Sequence, residues 1–213
     1  MMRPDRRLIL TGALAALLVP AGAFAAADFS AVTAPVEALD AGLIAVMKAG
    51  ESTPFAKRFA MLEPIVVRAF DLPRIVSVTV GFDWPTLTAD QKKTLLEVFR
   101  RYTVASYVAN FKSYSGEQFR ILPNPRAVGA DQVVTTEIVP RSGKPNRIDY
   151  VMRQMTHPTG TAWQAVDVLL DGTISQVAVQ RSDFQSFLTS GGAPALVAAL
   201  HKKVASLSGG AVS

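Results

Sequence analysis

The chain has 213 residues, with 22 Lys and Arg against 17 Asp and Glu, a length that suits one domain with a substantial core. The basic excess is small and scattered, with no basic block, which argues against nucleic-acid binding. There is no Cys, so thiol catalysis, thiolate metal sites, iron–sulfur clusters and disulfides are excluded.

Residues 1–25 read as a cleaved export signal. Arg3, Arg6 and Arg7 form a basic start, residues 8–19 an apolar run, and Ala23-Phe24-Ala25 the small-residue cleavage site, with cleavage after Ala25 or Ala27. The run is broken by Thr11 and Gly12, stops at Pro20, and is shorter than the roughly 20 residues a helix needs to cross a bilayer. The expected location is therefore the periplasm, by the general secretory route or, given Arg6-Arg7-Leu8, the twin-arginine route. Residues 26–207 are expected to form one domain and 208–213 a flexible tail after Ser208-Gly209-Gly210.

Over 28–48, Phe29, Val32, Val36, Leu39, Leu43, Val46 and Met47 recur at three- and four-residue spacings, which predicts an amphipathic helix ended by Gly50. A second helix is predicted over 53–70, opened by Thr53-Pro54 and kinked or split at Pro64. Residues 72–82 suggest a short helix and a turn. Thr88 with Gln91 makes a capping box that opens the longest helix, to about Tyr114. Leu95, Phe99, Tyr102, Ser106 and Asn110 fall on one face of it, and Val104, Tyr107, Val108 and Phe111 on another. Two apolar faces imply protein on both sides, or protein on one and a ligand on the other.

Strands are predicted at 118–122, 132–139, 147–154 and 162–170, separated by turn residues such as Pro123-Asn124-Pro125 and Ser142-Gly143-Lys144-Pro145. Connections this short favour an antiparallel meander. Helices follow at 175–188 and 193–207. The fold class is α+β: a curved antiparallel sheet of four to five strands packed against helices.

Chemistry is sparse in this pattern. His157 precedes a proline in a loop and His201 adjoins Lys202 and Lys203, so both read as solvated. No metal-ligand spacing, phosphate loop or G-x-S-x-G elbow is present, and no catalytic residue is nominated. Strict alternation places Trp163, Ala165, Asp167 and Leu169 on one face of their strand and Gln164, Val166, Val168 and Leu170 on the other, making Asp167 at least partly buried. A buried carboxylate needs a partner, either Arg153, Arg181 or a turn backbone. The functional alternative is that one of these arginines caps a cavity mouth and meets a phosphate. Val134, Thr136, Ile138, Ile148, Tyr150 and Met152 alternate as a face looking at the helices.

The stretch 163–188 carries a resemblance. Trp163, Asp167, Gly172, Ser175 and Arg181-Ser182-Asp183-Phe184 are similar to the closing strand and helix of the MlaC family, also called the toluene-tolerance family. Residues 101–119 resemble the long helix and first strand of the same family, and the wording is most similar to its hopanoid-associated HpnM subgroup. The resemblance implies a non-catalytic carrier of phospholipid or hopanoid-type lipid, without cofactor or metal, working between the inner and outer membranes. Its implied partners are an inner-membrane transporter of ABC or RND type and an outer-membrane lipoprotein, with transient membrane contact. The positions expected to enclose the lipid are Phe99, Tyr102, Tyr107, Phe111, Val134, Ile138, Ile148, Tyr150, Met152, Val168, Leu170, Phe184 and Phe187, with Arg153, Asp167 and Arg181 as headgroup or structural polar groups. The rival readings are a small α+β enzyme using Asp167 as general base on a hydrophobic substrate, and an envelope protein-interaction module.

Overall fold

A computed structural model describes residues 22–158 and 160–212, with side chains from Phe29 onward. Within the expected signal segment only residues 22–25 are described, as backbone at the start of the first helix; the rest lies outside the described residues.

Four helices come first: α1 (Gly22–Ala49), α2 (Phe55–Ala69), α3 (Leu72–Val80) and α4 (Ala89–Asn110), with a 3₁₀ turn (Gly81–Thr86) between the last two. The apolar stripe of α1 is buried as its spacing predicts, with Val32, Val36, Leu39, Leu43 and Val46 all at 2% exposure or less. By length and composition Phe29–Ala49 would also cross a membrane, but the burial of this stripe makes it a core helix here. Helix α2 runs unbroken through Pro64, contrary to the expected kink or split. Both Pro64 and Ala60, whose carbonyl loses its helical partner there, are exposed, so water can replace the missing bond. Thr53 does not cap α2; its hydroxyl donates back to the Ala49 carbonyl at 2.8 Å. The capping box of α4 is present in full, Gln91 N donating to Thr88 Oγ1 and Thr88 N to Gln91 Oε1.

The second half is an antiparallel sheet of six strands: β1 (Gln118–Ile121), β2 (Arg126–Val128), β3 (Asp131–Val139), β4 (Asn146–His157), β5 (Gly160–Leu170) and β6 (Ile174–Ser175). The order is β1-β3-β4-β5-β6, with β2 also on β3 beside Asp131 to Val133, so β1 and β2 share one edge of β3. The α+β class stands, with β2 and β6 as additional strands too short to leave a period in the sequence. Helix α5 (Gln176–Ser208) contains a break at Gly191-Gly192, so it consists of the two helical segments read from the sequence. Gly192, at φ 63° and ψ −156°, occupies a region essentially closed to other residues. The expected tail is described to Val212, where Ser208 Oγ donates to the Val212 carbonyl and accepts from its N–H.

The core lies between the sheet and the helices. Val134, Tyr150, Met152 and Ala165 of the sheet meet Leu39 and Leu43 of α1, Leu62 and Val66 of α2, and Phe99 and Val104 of α4 in one buried cluster. A β-bulge corrects the strict alternation expected of β5. Met152 pairs with Ala165 but Val151 with Asp167, leaving Val166 as the extra residue. Trp163 and Ala165 therefore share the inner face with Val168 and Leu170, while Asp167 is moved toward the outer edge.

Candidate functional site

A cavity of about 400 Å³ opens between the inner face of the sheet and helices α3, α4 and α5. Helix α4 contributes Phe99, Tyr102, Thr103, Ser106, Tyr107, Asn110 and Phe111, so the wall draws on both of the faces expected from the sequence, which meet here as one surface, while Leu95, Val104 and Val108 are buried in the core. The sheet contributes Ile148, Tyr150, Asp167, Val168 and Leu170, α5 contributes Gln176, Val177 and Gln180, and Phe70, Leu72 and Ile75 close the remaining side. Aromatic rings link these walls. Phe70 lies 5.8 Å from Tyr107 and 6.3 Å from Tyr150, and Tyr107 stacks on Phe111 at 6.0 Å. A second, more open groove of about 490 Å³ beside α2 and the tip of the β4–β5 hairpin shares Phe70 and Leu72 with the cavity.

Of the sequence-derived apolar positions, Phe99, Tyr102, Tyr107, Phe111, Ile148, Tyr150, Val168 and Leu170 line this cavity. Val134, Met152 and Phe184 are instead packed to 1% exposure or less in the closed core, Phe184 edge-on to Phe99 at 6.3 Å. Ile138 and Phe187 are half-buried and lie outside the lining. The wall residues not read from the sequence are chiefly Phe70, Leu72, Ile75, Gln176, Val177 and Gln180. For α5 a signal existed: Gln176, Val177 and Gln180 continue the stripe of Phe184 and Leu188 about two turns toward the N-terminus.

The three polar groups are placed differently from the ion pair expected. Asp167 borders the cavity, but neither Arg153 nor Arg181 pairs with it. Its carboxylate accepts from the backbone N–H of Val168 at 2.7 Å and of Val177 at 3.1 Å, and from Ser175 Oγ at 2.5 Å. Ser175 Oγ in turn accepts from Ala178 N at 3.0 Å. Together they satisfy orphan donors at the first turn of α5, the turn-backbone alternative, and both Asp167 oxygens are engaged. Arg153 makes a two-point ion pair with Asp131, at 2.5 and 2.6 Å across β3 and β4. Arg181 lies over the ring of Phe82, 5.4 Å from its centroid.

Two further polar groups were not singled out in the sequence. Gln180 Oε1 is buried with no hydrogen-bond partner in the protein, and Gln180 is part of the cavity wall. Asp40, on the inner stripe of α1, also has a buried oxygen without a partner, and burial, helped by Glu37, pushes its pKa up to about 7. Asp40 is felt by Tyr107 and Tyr150, whose hydroxyl pKa values are raised chiefly by their own burial. Both histidines are exposed, and the described residues include no group of His, Asp and Glu arranged to hold a metal ion.

The architecture matches a solved structure, a phospholipid-binding protein from Ralstonia solanacearum in complex with a phospholipid. The TM-score is 0.68 at 21% sequence identity, over 83% of this chain and 98% of that one. No curated protein matches the chain significantly. The family described as MlaC protein matches residues 37–202, most of the described chain from the middle of α1 into the second segment of α5. This chain belongs to the MlaC family.

Proposed function

We propose that the protein is a periplasmic carrier that takes phospholipid or a hopanoid-type lipid between the inner and outer membranes without a covalent step. The observation that carries this reading is the cavity, whose walls are aromatic and aliphatic side chains with a few hydrogen-bonding groups among them. Membership of the MlaC family and the fold shared with a phospholipid-binding protein support it. Each methylene moved from water into such a site contributes about 0.8 kcal/mol, so hydrocarbon alone supplies strong binding. Ligand pockets run from roughly 300 to 1,000 Å³, and at about 400 Å³ this one must widen to take a lipid with two chains. Delivery then depends on partners that receive or release the lipid: an ABC- or RND-type transporter in the inner membrane and a lipoprotein at the outer membrane. The hydrogen bonds that Asp167 accepts from Val168 N, Ser175 Oγ and Val177 N favour a structural role for this carboxylate over that of a general base.

The test is to purify the exported protein from its native host and analyse its organic extract by mass spectrometry. A lipid at close to one per chain is expected, and its class decides between phospholipid and hopanoid. A lipid-free protein that turns over a hydrophobic substrate would overturn the carrier reading.

A further inference from the structure

Outside the cavity, Phe82 stands apart. Its ring is 90% exposed, while the other exposed large hydrophobics among the described residues lie between 38% and 49%. A single exposed apolar residue carries no message alone, but the surroundings of this one are shaped. The Arg181 guanidinium lies over the ring, and a Cβ on Gly81 would come within 3.2–3.3 Å of that guanidinium. The bare backbone of Gly81, at φ 69°, thus leaves the slot in which the arginine lies. Two residues on, Trp84 carries a second cation, Lys92 Nζ at 5.7 Å from its ring centroid. Asp83 and Asp183 are near in sequence, yet among the described residues no carboxylate comes within ion-pair distance of Arg181. The patch also has a telling position. Arg181 directly follows Gln180, a cavity-wall residue of α5, and Phe82 follows α3, whose Leu72 and Ile75 form the neighbouring wall.

We propose that Phe82 and Arg181 form a docking point for an anionic phospholipid bilayer, the ring entering the boundary between headgroups and acyl chains while the guanidinium takes a lipid phosphate. A planar fork without a carboxylate partner suits a phosphate, and aromatic rings flanked by cations suit the membrane interface. One protruding ring is a poor match for a protein surface, where a stable interface needs about 800 Å² from each side. It is a good match for a deformable bilayer. Since Asp83 and Asp183 offset Arg181 and Lys92, adhesion is local and brief, not driven by a broad positive field. The inference extends the carrier reading, by placing the contact on the helices that close the cavity, but its test is independent of lipid loading.

Trp163→Phe leaves Trp84 as the sole tryptophan, two residues from Phe82. The exported protein carrying this change is mixed at low ionic strength with phosphatidylglycerol vesicles containing lipids brominated on the acyl chain. Trp84 fluorescence is expected to be quenched, and phosphatidylcholine vesicles should quench it far less. Adding Arg181→Gln should weaken vesicle binding about fivefold, and adding Phe82→Ser about tenfold. Lipid co-purification, measured on the same proteins, should be unchanged by Phe82→Ser. Absence of quenching, or quenching that persists equally in both variants, overturns the docking point whether or not lipid is carried. Loss of co-purified lipid with quenching intact would overturn only the carrier reading. Capture of an envelope protein that requires Phe82, without vesicle binding, would replace the bilayer by a protein partner.

Discussion

Burial of Asp40 on α1 raises its pKa to about 7 from the ordinary carboxylate value of 3.8, because the apolar surroundings penalise the charged form. Between those two values the folded chain holds a proton that the unfolded chain has released, so stability falls as pH rises from about 4 to about 7 and is level above. Asp40→Asn, which cannot ionise, is expected to be more stable than the natural protein at pH 8 by on the order of 4 kcal/mol. The difference should vanish at pH 4, and urea titrations at the two pH values check it. For Asp167, the loss of helix-end hydrogen bonds sets the scale: Asp167→Ala should cost about 1–2 kcal/mol, less than the 3–5 kcal/mol typical of a broken buried ion pair. A double-mutant cycle of Asp167→Ala with Arg153→Ala should be additive within about 0.5 kcal/mol, since Arg153 is engaged with Asp131. Coupling well above that would reinstate the ion pair. The sequence showed that Asp167 interrupts an apolar strand, but not its partner. That depended on the bulge at Val166, a one-residue event that leaves no period, and on a hairpin that brings Val177 back to it.

At the scale of elements, legibility followed length. The α1 stripe and the longer strands β3, β4 and β5 repeat a period several times, and the α4 capping box is a four-residue motif legible by itself; each appears where the pattern puts it. The cavity wall was readable on α4 and on the β4–β5 pair for the same reason. It was not readable at Phe70, Leu72 and Ile75, because Phe70 lies between two helices, α3 is too short to repeat a period more than twice, and their facing depends on Asp71 N bonding to the Ala165 carbonyl of β5. The alternating face of β3 and β4 was visible, but which of its residues meet helix and which meet space was not. Two substitutions separate these cases. Ser106→Trp, in the cavity wall, should abolish lipid co-purification while the cooperative melt stays near the natural temperature. Val134→Trp, at 0% exposure opposite Tyr150, should lower stability by at least the 1–3 kcal/mol typical of overpacking. Thermal melts and lipid extracts of the two proteins check the distinction. The first turn of α5 is a wall segment whose anchoring points are few and identifiable. Asp167 and Ser175 cap it, and the short β6 ties it to β5 through the pair of Leu170 with Ile174. Because the chain has no natural Cys, Leu170→Cys with Ile174→Cys gives a single engineered disulfide whose pairing is unambiguous. In the oxidised form lipid exchange with vesicles should slow markedly, and reduction should restore it. Equal rates in the two forms would show that lipid enters by another side.

For the whole molecule, the order of the elements along the chain matters as much as their packing. The helices α1 to α4 and the sheet are complete by Ser175, but the cavity is not, since Gln176, Val177 and Gln180 supply its last wall. The second segment of α5 also sets Leu196, Leu200 and Val204, each fully buried, into the core. The cavity is not closed until the C-terminal part of the chain has joined the rest. In the carrier role proposed above, a chain threaded unfolded through the secretory channel crosses empty and meets its first lipid outside the cytoplasm. If the arginine pair near the start sends the protein through the twin-arginine route instead, it crosses already folded, with the site complete. For such a carrier the first cargo is then drawn from the cytoplasmic side, and the route of export sets which side of the membrane supplies the first lipid.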